Sequence, residues 1–337
     1  MTTDRARLAR SRGTDPWSNL AREELLMGEC GDDEAIFYLW RNARTVVIGR
    51  NQNAWSECRL DLLESEDGRL ARRSSGGGAV FHDLGNLNFS FIVPRRLFSM
   101  ERQLGVVLGA LRSLGIDAEF SGRNDLAIGG RKFSGNAWQL TRDRGLHHGT
   151  LLLSADMSMM SRYLNVDPEK LKSKGVGSVA SRVVNLADVS PGLELAPLMD
   201  ALEESFLSEY PHSKTRRDEG EPEGEEFERL YAKYSGVEWR YGRVPDCSVS
   251  VSRRFPWGGV DVRFDAPGGV TEGARVFSDA MDGEMILSLA AALNGLPFSW
   301  AGIADAVRAR FPGSPEMADV AGWLQEAPVG RAKEAGE

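Results

Sequence analysis

The sequence predicts an α+β protein of two domains: a larger one of strands and helices over residues 1–245 and a small α+β domain over 246–337. Three observations carry this. The 337 residues exceed one typical compact unit. Strand-type and helix-type periods alternate along the chain up to Pro211. After Pro245, strands come first and helices second, the order of a small separate α+β unit.

Asp15 followed by Pro16 marks a helix start, with Asp15 as cap and Pro16 at the first position, ahead of Trp17, Leu20, Leu25, Leu26 and Met27. Ala35–Trp40 and Thr45–Ile48 are short and β-branched enough to be strands. Leu87, Phe89, Phe91 and Val93 recur at every second residue and Pro94 ends the run, which predicts a half-buried strand. From Leu97 the step changes to three and four, through Met100, Leu104, Val107, Leu108, Leu111 and Leu114. Gly115 closes this amphipathic helix. Residues 117–154 are expected as short strands broken by glycines. Short helices follow at 158–164 and 168–173, and a longer one carries Leu195, Leu198, Met199, Leu202 and Phe206. The stretch 214–229, KTRRDEGEPEGEEFER, has the composition of a solvated linker or a surface excursion. Strands are expected at 248–253, 259–264 and 274–279, and helices at 284–294, 300–310 and 315–325.

Composition narrows the function classes. Hydrophobic residues are 42% and charged residues 27%, ordinary for a soluble globular chain. A net charge of -8 argues against a nucleic-acid binder. Cys30, Cys58 and Cys247 form no disulfide framework, and with His82, His147, His148 and His212 they give no zinc spacing. The basic start, residues 1–12, has no apolar run behind it, and no segment approaches a membrane span. A cytoplasmic protein without membrane contact is expected.

Four clusters carry chemistry. In 72–83, RRSSGGGAVFHD, three glycines let the main chain approach a ligand and present N–H groups to an anion, and the arginines add forked donors. The spacing fits neither GxxxxGK[ST] nor GxGxxG. In the second cluster, SGRND at 121–125 precedes GGRKFSG at 129–135. Lys132 there stands between glycine turns as a cation for a carboxylate and a phosphate together. In the third, His147 and His148 are adjacent on a strand and point to opposite faces, so at most one faces a pocket; packing is preferred over metal binding. The fourth, 172–182, is cationic and rich in glycine and serine, suited to a loop that orders over an anionic ligand.

In order and spacing, RRSSGGGAVFHDLGNLNFSF, SGRNDL with GRKFSG, HHGTLLLSAD and KLKSKGVGSVASRVVNL resemble the lipoate–protein ligases. DPWSNLAREELL and FPWGGVDVRF look similar too. The resemblance implies a mixed-sheet catalytic domain of the biotin/lipoate ligase type, with flanking helices, and a small accessory C-terminal domain. It implies ATP, a magnesium ion and lipoate as ligands, and a lipoyl-AMP intermediate. Lipoyl carrier domains of 2-oxoacid dehydrogenase complexes and the glycine-cleavage H protein are the implied acceptors. By position, Arg73, Gly78, Ala79, Val80, Phe81 and Lys132 match the nucleotide contacts, and Lys132 also touches lipoate. Trp40, Val47, Gly77 and His82 are candidates for the lipoate slot, and Phe81 is expected to line it with Trp40 and Val47. Lys174, Gly175, Ser178, Val179 and Ser181 match the adenylate-covering loop, and Asp125 is a candidate metal contact. An octanoyltransferase of the same superfamily would need a cysteine nucleophile, and no cysteine lies between Cys58 and Cys247. A non-catalytic lipoate-binding protein is the remaining alternative.

Overall fold

The computed structural model describes residues 3–121, 125–165, 183–210, 213–218, 220–242 and 249–326. By internal contacts the chain divides into two compact units: Met1–Ile48, Ala54–Arg73 and Ala79–Tyr241 form the first, and Gly49–Asn53, Ser74–Gly78 and Gly242–Glu337 the second.

The first unit holds an eight-stranded mixed sheet of β1 (Arg5–Arg10), β2 (Glu34–Trp40), β6 (Asn86–Pro94), β7 (Glu119–Ser121), β8 (Asp125–Ile128), β9 (Arg131–Leu140), β10 (Arg144–Leu152) and β11 (Lys214–Asp218). Their spatial order is β11-β1-β2-β6-β10-β9-β8-β7. A second sheet joins β3 (Thr45–Ile48) in parallel to β4 (Arg69–Arg72) and antiparallel to β5 (Val80–His82).

Directly opposed residues on paired strands share a face. One face of the large sheet carries Phe37 against Phe91, Leu39 against Phe89 and Leu151 against Leu87. Helices α2 (Met100–Ser113) and α4 (Leu195–Glu209) cover it, with Leu104, Val107, Leu111, Leu198, Leu202 and Phe206 in the same apolar layer; the short α3 (Met157–Tyr163) lies between them in sequence. The other face carries Tyr38 and His148 opposite Ser90, and Trp40 and Thr150 opposite Asn88. Helix α1 (Pro16–Glu29) and α5 (Glu225–Ser235) pack with Tyr38, Trp40, Val47 and Ala71 in a separate cluster.

Several expectations hold. Asp15 caps α1 through its carboxylate, which accepts from the Trp17 and Ser18 amides, with Pro16 as the first helical residue. Among the late elements, α7 (Trp300–Arg310) has the expected bounds. The strands β12 (Val249–Phe255), β13 (Gly258–Asp265) and β14 (Glu272–Ser278), with α6 (Gly283–Ala292) and α8 (Pro315–Glu326), shift by a residue or two. The three strands form an antiparallel sheet in the second unit, over a core of Val262, Phe264, Ile286, Leu289, Ile303 and Val320.

Others need correction. β6 is buried along its whole length, because both faces of the sheet are covered. The helix expected from Leu97 begins at Met100, since Ser99 caps it by accepting from the Arg102 amide; Leu97 sits in a preceding 3-10 turn. Glycines do not break β9 and β10. Gly135, Gly145 and Gly149 lie inside these strands, and Gly129-Gly130, at φ 54° and 73°, makes the hairpin turn between β8 and β9; Gly122 lies outside the described residues. Residues 214–229 are not a linker along their length. Lys214–Asp218 is an edge strand parallel to β1, tied by Arg7 to Asp218 at 2.5 Å, and Glu225 begins α5. The helix expected at 168–173 lies outside the described residues.

Candidate functional site

Lys132 owes its direction to an irregularity in the β8–β9 pairing. Leu126 opposes Ser134, but Ala127 opposes Lys132, so an extra residue sits in β9. A bulge of this kind turns one side chain onto the other face. Phe133 stays in the helix-covered core, while Lys132 lies back over Gly135 and reaches Asp125, with Nζ to Oδ1 at 2.7 Å. A Cβ on residue 135 would stand 2.9 Å from the Lys132 Nζ, so the glycine leaves room for the lysine. The same glycine donates its amide to Thr150 Oγ1 at 3.2 Å. Lys132 and Asp125 are 41% and 30% exposed, open enough to meet a ligand.

From there the polar face of the sheet runs inward. Thr150 opposes Asn88, whose side-chain oxygen accepts from Asn86 at 3.0 Å. Asn86 Oδ1 and Asn88 Nδ2 are buried without a hydrogen-bond partner. Buried polar atoms left this way are costly and mark places where a ligand or water completes the pairing. Further along, Trp40 Nε1 donates to Ser90 Oγ at 2.9 Å, Ser90 donates to Glu23 at 2.5 Å, and His148 Nδ1 lies 2.9 Å from the same carboxylate oxygen. The helix α1 thus places a buried carboxylate in the sheet's polar face. Sequence reasoning missed Glu23, Ser90, Asn86, Asn88 and Thr150. The signal available was the polar alternation of β6, Asn86, Asn88 and Ser90, on a strand too apolar to face water.

The small sheet supplies the other wall. Val47 opposes Val80 and both pack with Trp40, whereas Phe81 opposes Val46 and packs with Ile48, Leu70 and Tyr163. The expectation that Phe81 lines one face with Trp40 and Val47 does not hold, since strand alternation turns it away. Ala79 packs on the Phe81 side as well. His82 returns to the slot side, its ring edge-on to Trp40 at 6.2 Å, with Nδ1 3.2 Å from Asn42 Nδ2 and a buried, unpartnered Nε2. Arg73 is buried, with Nη1 donating to the Val47 carbonyl at 3.3 Å. Burial pulls its pKa down to about 10 and Glu23 opposes that, so the guanidinium stays cationic near neutrality.

In the glycine cluster expected to cradle an anion, one amide is already engaged. Gly77, at φ 90°, donates its amide to the Ala280 carbonyl at 2.9 Å within the second unit, so this N–H is already spent. A Cβ on residue 76 would come within 2.4 Å of the carbonyl oxygens of both Ala280 and Met281. Close main-chain packing therefore explains Gly76. Gly78 and Ser75 lie in the same segment, and Ser75 accepts from the Arg50 amide at 2.9 Å. We expect Gly76→Ala to destabilise the second unit by roughly 1–3 kcal/mol, because neither carbonyl can yield without moving the backbone. Thermal unfolding of the variant measures this, and an unchanged midpoint would contradict it.

His147 points the other way, between Phe89 and Phe91, with Nδ1 3.1 Å from Gln103 Oε1 and Nε2 3.0 Å from Asn136 Oδ1. The two histidines diverge as expected, and among the described residues no group of three His, Cys, Asp or Glu side chains is placed to hold a metal. Burial lowers the pKa of His82 and of His147, each to about 3. An unfolded histidine protonates near pH 6.5, so below about that pH the unfolded chain takes up protons that the folded chain refuses. The contribution to stability is complete above that value and is lost progressively toward pH 3. Urea midpoints should therefore fall on acidification from about pH 6.5 to 4; a midpoint that rises over this interval would contradict the assignment.

Lys174, Gly175, Ser178, Val179 and Ser181 lie outside the described residues, as does Cys247. Cys30 and Cys58 are free and buried, and burial pushes both thiols up to about 12. No helix among the described residues is long and apolar enough to cross a membrane.

Residues 15–207 match the family model of the lipoyl protein ligase A/B catalytic domain. The chain belongs to this family. Residues 244–317 match a second model, the bacterial lipoate protein ligase C-terminus. Among solved structures of lipoyl ligases, that of P. falciparum LipL1 in complex with lipoate is 26% identical. It aligns over 96% of this chain and 100% of its own, at a TM-score of 0.84. A bi-partite lipoate protein ligase from Thermoplasma acidophilum, studied with its E2 lipoyl domain, is 30% identical over 74% of this chain and all of its own, at 0.60. A lipoate-protein ligase A bound with ATP is 28% identical over 72% of this chain and 100% of its own, also at 0.60. The mixed sheet with flanking helices and a C-terminal domain is thus the fold of the lipoate ligases.

Proposed function

We propose that this chain uses ATP to activate lipoate as lipoyl-AMP and then passes the lipoyl group to a lysine of lipoyl carrier domains. The observation that carries the reading is Lys132, aimed across Gly135 at the open end of a buried polar track. Three relatives lend support: one solved with lipoate, one with ATP, and one studied with an E2 lipoyl domain. The acceptors we infer are the carrier domains of 2-oxoacid dehydrogenase complexes and the glycine-cleavage H protein, and the compartment is the cytoplasm.

Both reactants of the first step are anionic, so attack of the lipoate carboxylate on the α-phosphorus needs their repulsion offset and their geometry held. Lys132 bridges the carboxylate and the α-phosphate as pyrophosphate leaves. It can turn from Asp125 to do so, since the pair is only partly buried. Arg73 supplies a second fixed cation. The lipoyl tail lies along Trp40, Val47 and Val80, and the buried acceptors and donors of Asn86, Asn88 and His82 face the bound ligand. A magnesium ion would fit one carboxylate, Asp125, with nucleotide phosphates completing its shell, and would neutralise charge on pyrophosphate. Lys174, Gly175, Ser178, Val179 and Ser181 form the adenylate-covering loop in this reading. In the second step the neutral amine of a carrier lysine attacks the mixed anhydride and AMP departs.

The octanoyltransferase alternative needs a thiolate nucleophile, and neither Cys30 nor Cys58 is accessible or acidic enough to supply one. A purified carrier domain incubated with the chain, ATP, magnesium and either lipoate or octanoate tests the reading by mass. ATP-dependent acylation of the carrier lysine is expected. Acylation from an octanoyl carrier without ATP would favour the transferase, and ligand binding with no acyl transfer would favour a binding protein.

A further inference from the structure

The two adjacent arginines at 72 and 73 divide between different tasks. Within β4, Leu70 packs on the Phe81 side of the small sheet and Ala71 on the Trp40 side. Alternation then sends Arg72 with Leu70 and Arg73 with Ala71. Arg72 spends its donors on main chain. Its Nε donates to the Trp239 carbonyl at 2.7 Å, and its Nη2 donates to the Arg240 and Tyr241 carbonyls at 2.9 and 3.4 Å. These three carbonyls belong to the last residues of the helix Val237–Tyr241, the end of a helix at which a cation is favoured. The contact is returned, since Trp239 Nε1 donates to the Arg72 carbonyl at 2.8 Å. Burial lowers the Arg72 pKa to about 10, which leaves it charged near neutrality.

This clamp lies where the chain leaves the first unit. Tyr241 and Arg73 are each the last residue of a segment of that unit, and Ile48, the last of another, opposes Arg72 in register. The Arg73 amide donates to the Ile48 carbonyl at 3.0 Å. Three exits of the chain are thus fastened through one pair of residues.

We propose that Arg72 is a positioning residue: by binding the last turn of the helix Val237–Tyr241 to the end of β4, it sets the direction in which Arg73 enters the site. The inference rests on the proposed adenylation for its kinetic half and stands on amide exchange for the other. Arg72→Met keeps the aliphatic stem and removes the forked donors. It should lower lipoate-dependent ATP–pyrophosphate exchange, per folded molecule at saturating substrates, by about tenfold or more. Because Arg72 acts through Arg73, the same substitution in an Arg73→Lys background should change the rate less than about twofold. Amide hydrogen exchange should quicken at residues 69–73 and 237–241 together. Equal fold losses in both backgrounds, or unchanged exchange at these two segments, would overturn the proposal. A wild-type chain with no pyrophosphate exchange would instead refute the adenylation reading, and amide exchange alone would then decide the role of Arg72.

Discussion

Lys132→Ala is expected to slow adenylate formation by roughly two orders of magnitude or more, because it removes a cation aimed at charge that develops in the transition state. The fold should survive. The lysine is 41% exposed, and its ion pair with Asp125 is of a partly exposed kind that contributes little to stability. The variant leaves space over Gly135, which a water can fill. Lipoate-dependent ATP–pyrophosphate exchange is the direct measurement, with circular dichroism as the control for folding. A well-folded variant that exchanges at the wild-type rate would take the role away from Lys132. Carrier acylation from supplied lipoyl-AMP should fall less than exchange does, since the anhydride is then already made.

Phe91→Ala is expected to cost about 3–5 kcal/mol of stability, a large part of what a domain has. The ring stands 4.7 Å from Phe37, 5.6 Å from Phe89, 5.7 Å from His147 and 6.1 Å from Phe206, centroid to centroid. These partners come from β2, β6, β10 and α4, so the cavity would open where sheet and helix layers meet. The neighbouring strands are fixed in register on both sides and cannot close over it. Denaturant unfolding of the first unit should show the loss as a lower midpoint at an unchanged slope. A shift below about 1 kcal/mol would mean the layer repacks, contrary to this account.

What could be seen in the sequence was whatever depends on a residue's own neighbours in the chain. The Asp15-Pro16 start, the β6 alternation and the three strands and three helices after residue 248 are local signals, and they correspond closely to the observed elements. The direction of Lys132 is not local. It depends on one extra residue in β9 measured against β8, and register exists only once strands have partners. Phe81 follows Val80 in sequence, but successive residues of β5 face opposite sides, so Val80 joins Trp40 and Val47 while Phe81 packs with Val46 and Ile48. The role of Glu23 in the sheet's polar face is not local either: it exists only once Ser90 and His148 are brought to the carboxylate from β6 and β10. The stretch 214–218 was too polar to suggest a strand, yet pairing with β1 and the Arg7–Asp218 contact satisfy it. The three glycines pointed to open main chain, and for Gly76 and Gly77 the neighbour proved to be another segment of the chain itself.

The second unit is made from three separate stretches of one polypeptide. No single scission releases it whole. Cutting after Tyr241 would leave residues 49–53 and 74–78 on one fragment and their hydrogen-bond partners on the other, among them Asn51 O with the Ser278 amide at 2.9 Å and the Gly77 amide with Ala280 O. The Arg50–Glu284 ion pair and the Asn51 contact with the Gly283 carbonyl would be divided in the same way. Grafting the C-terminal segment of a relative onto this chain therefore amounts to exchanging three pieces, and a chimera that swaps only the last has mismatched seams at the other two.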